Sequence, residues 1–308
     1  MNGAVVITTK SGKGKKGLGI NFSQTLGLDV LTGQPDFQNV YGPGYLAGFI
    51  DWANPYDSYN AWYKNSEGVN SMIPLDGYYG YGPAFDGSMV EYYDGTMVPY
   101  VAQKNNFKDS YDTGFNTNTN VAISGGNETT NFYTSLSYKH ANSTTPNTSF
   151  DRFSFMAKAS HKITDKVLLE AGVTFANSTP KNPEKNIGEN FISGTWSRAY
   201  DAKAGRERYK GEHGGLASTS YGDKYGNVPN AGYWFMIDNY NYFQKETVVR
   251  PTFEVNVKIT DWLKFKADAN MNYYYNNGEN RELGSGYAND GGYYGIWSET
   301  KEQTTFGG

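Results

Sequence analysis

Three histidines are the first side chains to test for chemistry in this 308-residue chain, and they do not stand at ligand spacing. His140, His161 and His213 lie far apart, which fits scattered surface positions better than a metal centre. Cysteine is absent, so thiolate metal sites, disulfides and a cysteine nucleophile are excluded together. Tyr41-Gly42-Pro43-Gly44-Tyr45-Leu46-Ala47 imitates a dinucleotide fingerprint. No apolar strand precedes it, however, and Pro43 occupies the place of the tight turn. The stretch from Lys10 to Lys16 is basic and glycine-spaced, but no Gly-Lys-Ser/Thr closes a phosphate loop, so it reads as a solvated linker. Glu91 and Asp94 are carboxylates whose separation the sequence does not fix, and no Gly-x-Ser-x-Gly elbow occurs. The expectation is a protein that is not an enzyme and needs no cofactor.

Two aromatic clusters are more suggestive. Trp52, Tyr56, Tyr59, Trp62 and Tyr63 are mixed with Asp51, Asn54, Asp57 and Asn60. A second group holds Trp196, Tyr200, Tyr221, Tyr225, Tyr233, Trp234, Tyr240 and Tyr242. Aromatic faces interleaved with amides and carboxylates hold sugars and peptides against water. The competing role is structural, because glycine-rich loops need aromatic anchors to offset the entropy of ordering them. Most of these rings are expected to be anchors. The candidates for substrate contact are Trp52, Tyr56, Tyr59, Trp62, Trp196, Tyr200, Tyr233 and Trp234.

The elements that would carry such loops are strands. Hydrophobic residues make up 38% of the chain and the mean hydropathy is −0.66, and no window is apolar enough for a spanning helix. Aromatic residues at 16% are too many for a disordered coil. A net charge of −4 argues against nucleic acid as a partner. Seven segments alternate apolar and polar residues, with period two. Leu18, Ile20, Phe22, Leu26 and Leu28 share one face of the first, and Val121 and Ile123 mark the second. Phe132, Leu136 and Tyr138 follow in the third, then Phe153, Phe155, Ala157, Ala159 and Ile163 in the fourth. The fifth carries Val167, Leu169, Ala171, Val173 and Phe175, and the sixth Val249, Phe253, Val255, Val257 and Ile259. Leu263, Phe265, Ala267, Ala269, Met271 and Tyr273 form the seventh. An eighth is expected near Thr300 to Phe306.

The opposite faces carry long charged side chains, which suits a wide watery lumen. Connection lengths also differ by side. Residues 29–116 and Asn177 to Glu246 are long insertions, whereas Gly125 to Asn131, Thr164-Asp165 and Thr260-Asp261 are tight turns. Short turns on one side and long loops on the other are characteristic of an outer-membrane barrel. Phe132 and Trp262 at the short-turn ends, with Tyr138, Phe175, Tyr273 and Tyr275 at the long-loop ends, fit two interfacial belts. The expected fold is all-β, a partial transmembrane antiparallel barrel of seven to eight strands forming an open curved sheet with long extracellular loops. The alternative is a soluble or surface-attached β-rich carbohydrate-binding or adhesion module, with its apolar faces packed between two sheets.

Residues 2–12, Asn-Gly-Ala-Val-Val-Ile-Thr-Thr-Lys-Ser-Gly, resemble the closing plug strand of SusC/RagA-type TonB-dependent transporters. Val121-Ala122-Ile123-Ser124-Gly125-Gly126-Asn127-Glu128 followed by Phe132 to Tyr138 resembles that family's first periplasmic hairpin. Asp151-Arg152-Phe153-Ser154 and Tyr81-Gly82-Pro83-Ala84-Phe85-Asp86-Gly87 are similar to further family segments. The resemblance implies a last plug strand at 1–12, a linker at 13–17 and the N-terminal part of the barrel at 18–308. Barrels with a plugged lumen have 22 strands, so the chain is expected to be an internal piece of one. It also implies an outer-membrane location in contact with lipid, and import of oligosaccharides or peptides. The implied partners are a SusD-like surface lipoprotein lid and a TonB complex reached through upstream segments.

Overall fold

The structure, a computed structural model, describes residues 17–43, 63–72, 80, 82–92, 95–182, 187–192, 197–209, 231–283 and 294–307. Eight long strands make one antiparallel sheet: β1 (Gly17–Asp29), β6 (Gly114–Gly126), β7 (Thr130–Asn142), β8 (Ser149–Thr164), β9 (Val167–Lys181), β10 (Tyr240–Lys258), β11 (Lys264–Leu283) and β12 (Tyr294–Gly307). They pair in chain order, and β1 and β12 are the two edges of an open sheet. Between β1 and β6 lie four short strands, β2 (Tyr63–Lys64), β3 (Asn70–Ser71), β4 (Met89–Glu91) and β5 (Met97–Pro99), which form a second small sheet. Short helices complete the described elements: α1 (Asn106–Asp109), α2 (Gly188–Ile192), α3 (Ala202–Arg208) and α4 (Ala231–Asn239).

All seven expected strands are present, and β12 is the eighth. Several boundaries differ from the sequence reading. Gly17, assigned to the linker, opens β1, while the plug-strand segment 1–12 lies outside the described residues. The first long connection becomes 30–113, between the end of β1 at Asp29 and the start of β6 at Gly114, and the second contracts to 182–239 because β9 runs on to Lys181 and β10 begins at Tyr240. Those extensions place polar or aromatic residues on both faces, so alternation fades there although the hydrogen-bonded ladder continues.

Turn chemistry sets the short ends. The Asn127 side-chain oxygen accepts from the Thr129 and Thr130 amides at 3.0 and 2.7 Å, an Asx turn that closes β6 onto β7. At β8–β9, Thr164 Oγ1 accepts from the Lys166 and Val167 amides at 3.2 and 3.1 Å. At β10–β11, Thr260 Oγ1 accepts from the Leu263 amide at 3.0 Å.

The buried core lies away from the large sheet. One cluster joins Phe107, Ile187, Phe191, Tyr200, Ala202, Tyr209, Trp234, Phe235 and Ile237; a second joins Met72, Val90, Tyr92, Tyr100 and Ala199. Both belong to the long connections. The great strands are instead a wall with two exposed faces.

Candidate membrane face, lumen face and loop assembly

Register carries the sequence alternation across the whole wall. One row reads Phe22, Val121, Leu136, Phe155, Phe175, Val249 and Tyr273 on seven successive strands. The next reads Ile20, Ile123, Thr134, Ala157, Val173 and Pro251. This face is bare. Leu18, Ile20, Phe22, Leu26 and Leu28 keep 65–70% of their surface, and Leu136, Phe253, Phe265 and Trp262 keep 48%, 48%, 53% and 82%. Burying a single such side chain is worth about 1.5–3 kcal/mol. A contiguous uncovered sheet of them therefore calls for an apolar medium. A β-sandwich would have covered these rows with a second layer, and among the described residues none does.

The edge of the apolar band runs obliquely across the hydrogen-bonded rows. On β1 it reaches Leu28, whose row continues through Phe115, Asn142, Ser149, Lys181 and Phe243 and is mostly polar from β7 onward. On β9 and β10 the band stops at Phe175 and Val249, three rows lower. Its lower limit moves the same way, from Leu18 on β1 to Ile259 beyond the end of β10. The drift is about six residues over five strand-to-strand steps. At 3.3 Å rise and 4.8 Å spacing this corresponds to a strand tilt of about 40° from the band normal. Membrane barrels tilt their strands by 35–45°.

The other face is polar and charged. Ser160, Glu170, Glu254 and Asp268 lie side by side on four strands. Lys158 reaches Glu170 at 3.9 Å and Lys266 reaches Glu254 at 3.0 Å. Three adjacent carboxylates would repel one another in a dry interior, and the flanking ammoniums relieve this in a wet one. Arg250 Nε donates to Asn272 Oδ1 at 2.7 Å above them. Such a face suits water rather than a packed core.

At the other end the two long connections interlock. Arg198, 5% exposed, donates to Asn39 Oδ1 at 3.1 Å, to the Lys104 carbonyl at 2.8 Å and to Asn106 Oδ1, and its guanidinium lies 4.9 Å from the Phe37 ring centroid. Burial pushes its pKa down from the usual arginine value. Asn106 Nδ2 donates to the Ser197 and Tyr200 carbonyls, each at 3.1 Å. Arg206 grips Asp112 through two nitrogens at 2.6 and 3.2 Å and stands 5.5 Å from the Trp234 ring. Asp201 caps α3, its side chain accepting from the Ala204 amide at 2.9 Å.

A second knot ties the 182–239 connection to the β7–β8 loop and to β10. Asn147 and Asn182 adopt φ of 58° and 52°, a left-handed conformation that asparagine tolerates better than most residues. Asn147 Nδ2 donates to the Ile237 carbonyl at 2.8 Å, and Asn182 Nδ2 to the Asn147 carbonyl at 2.8 Å. Asn241 Oδ1 accepts from both amides at 2.8 and 2.9 Å.

The proposed contact residues fall into two groups. Trp52, Tyr56, Tyr59, Trp62 and Trp196 lie outside the described residues, and Tyr233 is described only as a backbone position of α4. Tyr200 and Trp234 are 4% and 0% exposed, and the Trp234 indole N–H donates to the Tyr200 hydroxyl at 2.7 Å. These two are anchors of the loop core and present almost no surface to a ligand. The sequence reading missed Arg198, Arg206 and Asn106, which do the joining; a solitary arginine or asparagine in a long loop carries no periodic signal. His140 stands 2.8 Å from Asp151 on the outward face, and no group of metal-ligating residues occurs among the described residues.

No protein-family model matches the chain, and no curated protein matches it. Among solved structures, the chain is similar to one in the RagAB peptide importer in its "closed-closed" state, with a TM-score of 0.65 and 16% identity. The match covers 96% of this chain and 32% of that one, so the chain spans about a third of its structural neighbour. At that identity the likeness is one of fold: an open antiparallel sheet that corresponds to part of a larger importer chain.

Proposed function

We propose that this chain supplies part of the membrane wall and of the external loops of an outer-membrane, TonB-dependent importer of oligosaccharides or peptides. It would work beneath a SusD-like surface lipoprotein. The observation that carries this reading is the oblique, uncovered apolar band, whose tilt of about 40° is that of strands crossing a bilayer. The fold likeness to a peptide importer supports the transport class, and the resemblance to SusC/RagA-type transporters supports the lid and the energy coupling. In this reading the apolar rows face lipid and the charged rows face a watery lumen. The interlocked connections stand outside the cell, and the short turns face the periplasm. No catalytic step is assigned.

The test uses the full-length protein that contains this sequence, folded into detergent micelles. It is expected to run faster on a gel in SDS before boiling than after, as closed membrane barrels do. A protein that is soluble and monodisperse without detergent, with no change on heating, contradicts the proposal.

A further inference from the structure

The outward face carries a polar island against its apolar band, built by β1, β6, β7 and β8. Gln24, Thr119 and Tyr138 stand in one row, and Thr117, His140 and Asp151 in the next row towards the long loops. On β1 the band continues beyond Gln24, where Leu26 and Leu28 keep 67% and 70% of their surface. Leu28 is four positions from Gln24, which is about 13 Å along the strand and about 10 Å of depth at a tilt of about 40°. The polar atoms answer one another. Thr119 Oγ1 donates to Gln24 Oε1 at 2.5 Å, and Gln24 Nε2 donates to Thr117 Oγ1 at 2.6 Å. Beside them, Asp151 Oδ1 accepts from the Tyr138 hydroxyl at 2.5 Å and from His140 Nδ1 at 2.8 Å. Among the described residues no donor reaches Asp151 Oδ2, although that side chain is 34% exposed. Polar groups in hydrocarbon need their hydrogen bonds made, and residues of this kind mark functional sites.

Depth orders what the island asks of an occupant. The amide of Gln24 and the two threonine hydroxyls lie within the band, whereas the Asp151 carboxylate and the His140 imidazole stand at its upper edge. A lipid whose polarity fades from headgroup into chains matches that order. A phosphate headgroup fits poorly, because neither row holds a lysine or arginine from β1 to β9 and Asp151 would repel it. A sugar headgroup fits better. One hydroxyl can donate to Asp151 Oδ2, and Tyr138, 47% exposed, offers a ring on which the apolar face of a sugar packs. The bare Phe22, Leu26 and Leu136 alongside suit acyl chains. We propose that this island binds a glycolipid in the leaflet at the long-loop end. Its sugar hydroxyls meet Asp151, and an amide or hydroxyl nearer its chains meets Gln24, Thr117 and Thr119. The proposal rests on the importer reading only in setting these strands across a bilayer.

The experiment uses the full-length protein in native outer-membrane vesicles. Photoreactive p-benzoylphenylalanine replaces either Phe153, which stands opposite Tyr138, or Tyr273, three strands away at the same edge of the band. After irradiation, mass spectrometry identifies what each position has captured. Position 153 is expected to capture glycolipid at roughly ten times the yield of position 273, the ratio that one hydrogen bond to a charged group provides. The double variant Q24L/D151N should lower the yield at 153 to that at 273 and keep the heat-dependent gel shift. Q24L alone, which only makes the band more apolar, should lower it in part. Equal yields at the two positions, or a yield at 153 that Q24L/D151N leaves unchanged, overturn the proposal. So does capture at 153 of phospholipid, of a second copy of this protein or of any other polypeptide in place of glycolipid. In each of those outcomes an intact gel shift leaves the importer reading standing, whereas its loss in the unsubstituted protein defeats that reading instead.

Discussion

Single side chains matter most where the two long connections meet, because there a polar group leaves water without leaving its partners. Tyr209 is buried beside Asp238 and donates its hydroxyl proton to that carboxylate. Burial first, and then the hydrogen bond and charge of Asp238, raise its pKa well above the ordinary 10.0 of tyrosine. Tyr100, which donates to the Pro83 carbonyl at 2.8 Å, is raised chiefly by burial as well. A raised folded-state value means that the neutral phenol contributes its stability fully below the unfolded value, near pH 10. That contribution is lost progressively as pH rises above it. Amide exchange in residues 197–209 and 231–239 is therefore expected to accelerate sharply between about pH 10 and 12, while β6–β9 stay protected. In a Tyr209→Phe variant the part of that dependence due to Tyr209 should vanish. Unchanged protection of the loop core up to pH 12 contradicts the assignment.

The strands were readable because one face is apolar and the other polar, and the reading failed wherever that contrast stops. Tyr240-Asn241-Tyr242-Phe243-Gln244-Lys245-Glu246 pairs fully with β11, yet it carries aromatic and polar residues at both parities. Above the apolar band the stretch meets the loop assembly, with Tyr240 packed on Phe235 and Asn241 in the asparagine knot, so period two has no cause. The helices were invisible for another reason. With four to nine residues they are too short to display an apolar stripe, and they form because aromatic packing holds them. Asp201, a capping residue three positions before the amide it accepts from, was the one local signal available. Face assignment itself gives a sharp comparison on β7. Leu136→Arg, mid-band on the outward face, is expected to destabilise the membrane-folded protein by about 2–4 kcal/mol. Ser135→Arg, one residue away on the lumen face, should be within about 0.5 kcal/mol of neutral. Urea titration of folding into lipid vesicles measures both, and equal effects would show that the two faces meet the same solvent.

Across the described residues, the eight-stranded wall leaves one side of β1 and one side of β12 without hydrogen-bonded neighbours. Unpaired ladder edges recruit other strands. Charged lumen rows also prevent eight strands from closing on a packed interior, as small barrels do. Residues 1–308 expressed alone should therefore give polydisperse oligomers in detergent by light scattering after gel filtration; a monodisperse monomer with all eight strands protected would contradict this. The aromatic clusters illustrate what composition alone leaves open. Tyr200 and Trp234 share the residue types of a sugar platform but serve as mortar, and only their burial distinguishes the two uses. The clasp built from Arg198, Arg206 and Asn106 carries a mechanical consequence. Because the 30–113 connection supplies the acceptors for both arginines of the 182–239 connection, and the latter supplies the carbonyls that Asn106 donates to, neither can swing outward by itself without leaving the buried Arg198 guanidinium unpaired. Any movement at this end must therefore carry both connections together, while the asparagine knot holds the second of them to the β7–β8 loop and to β10.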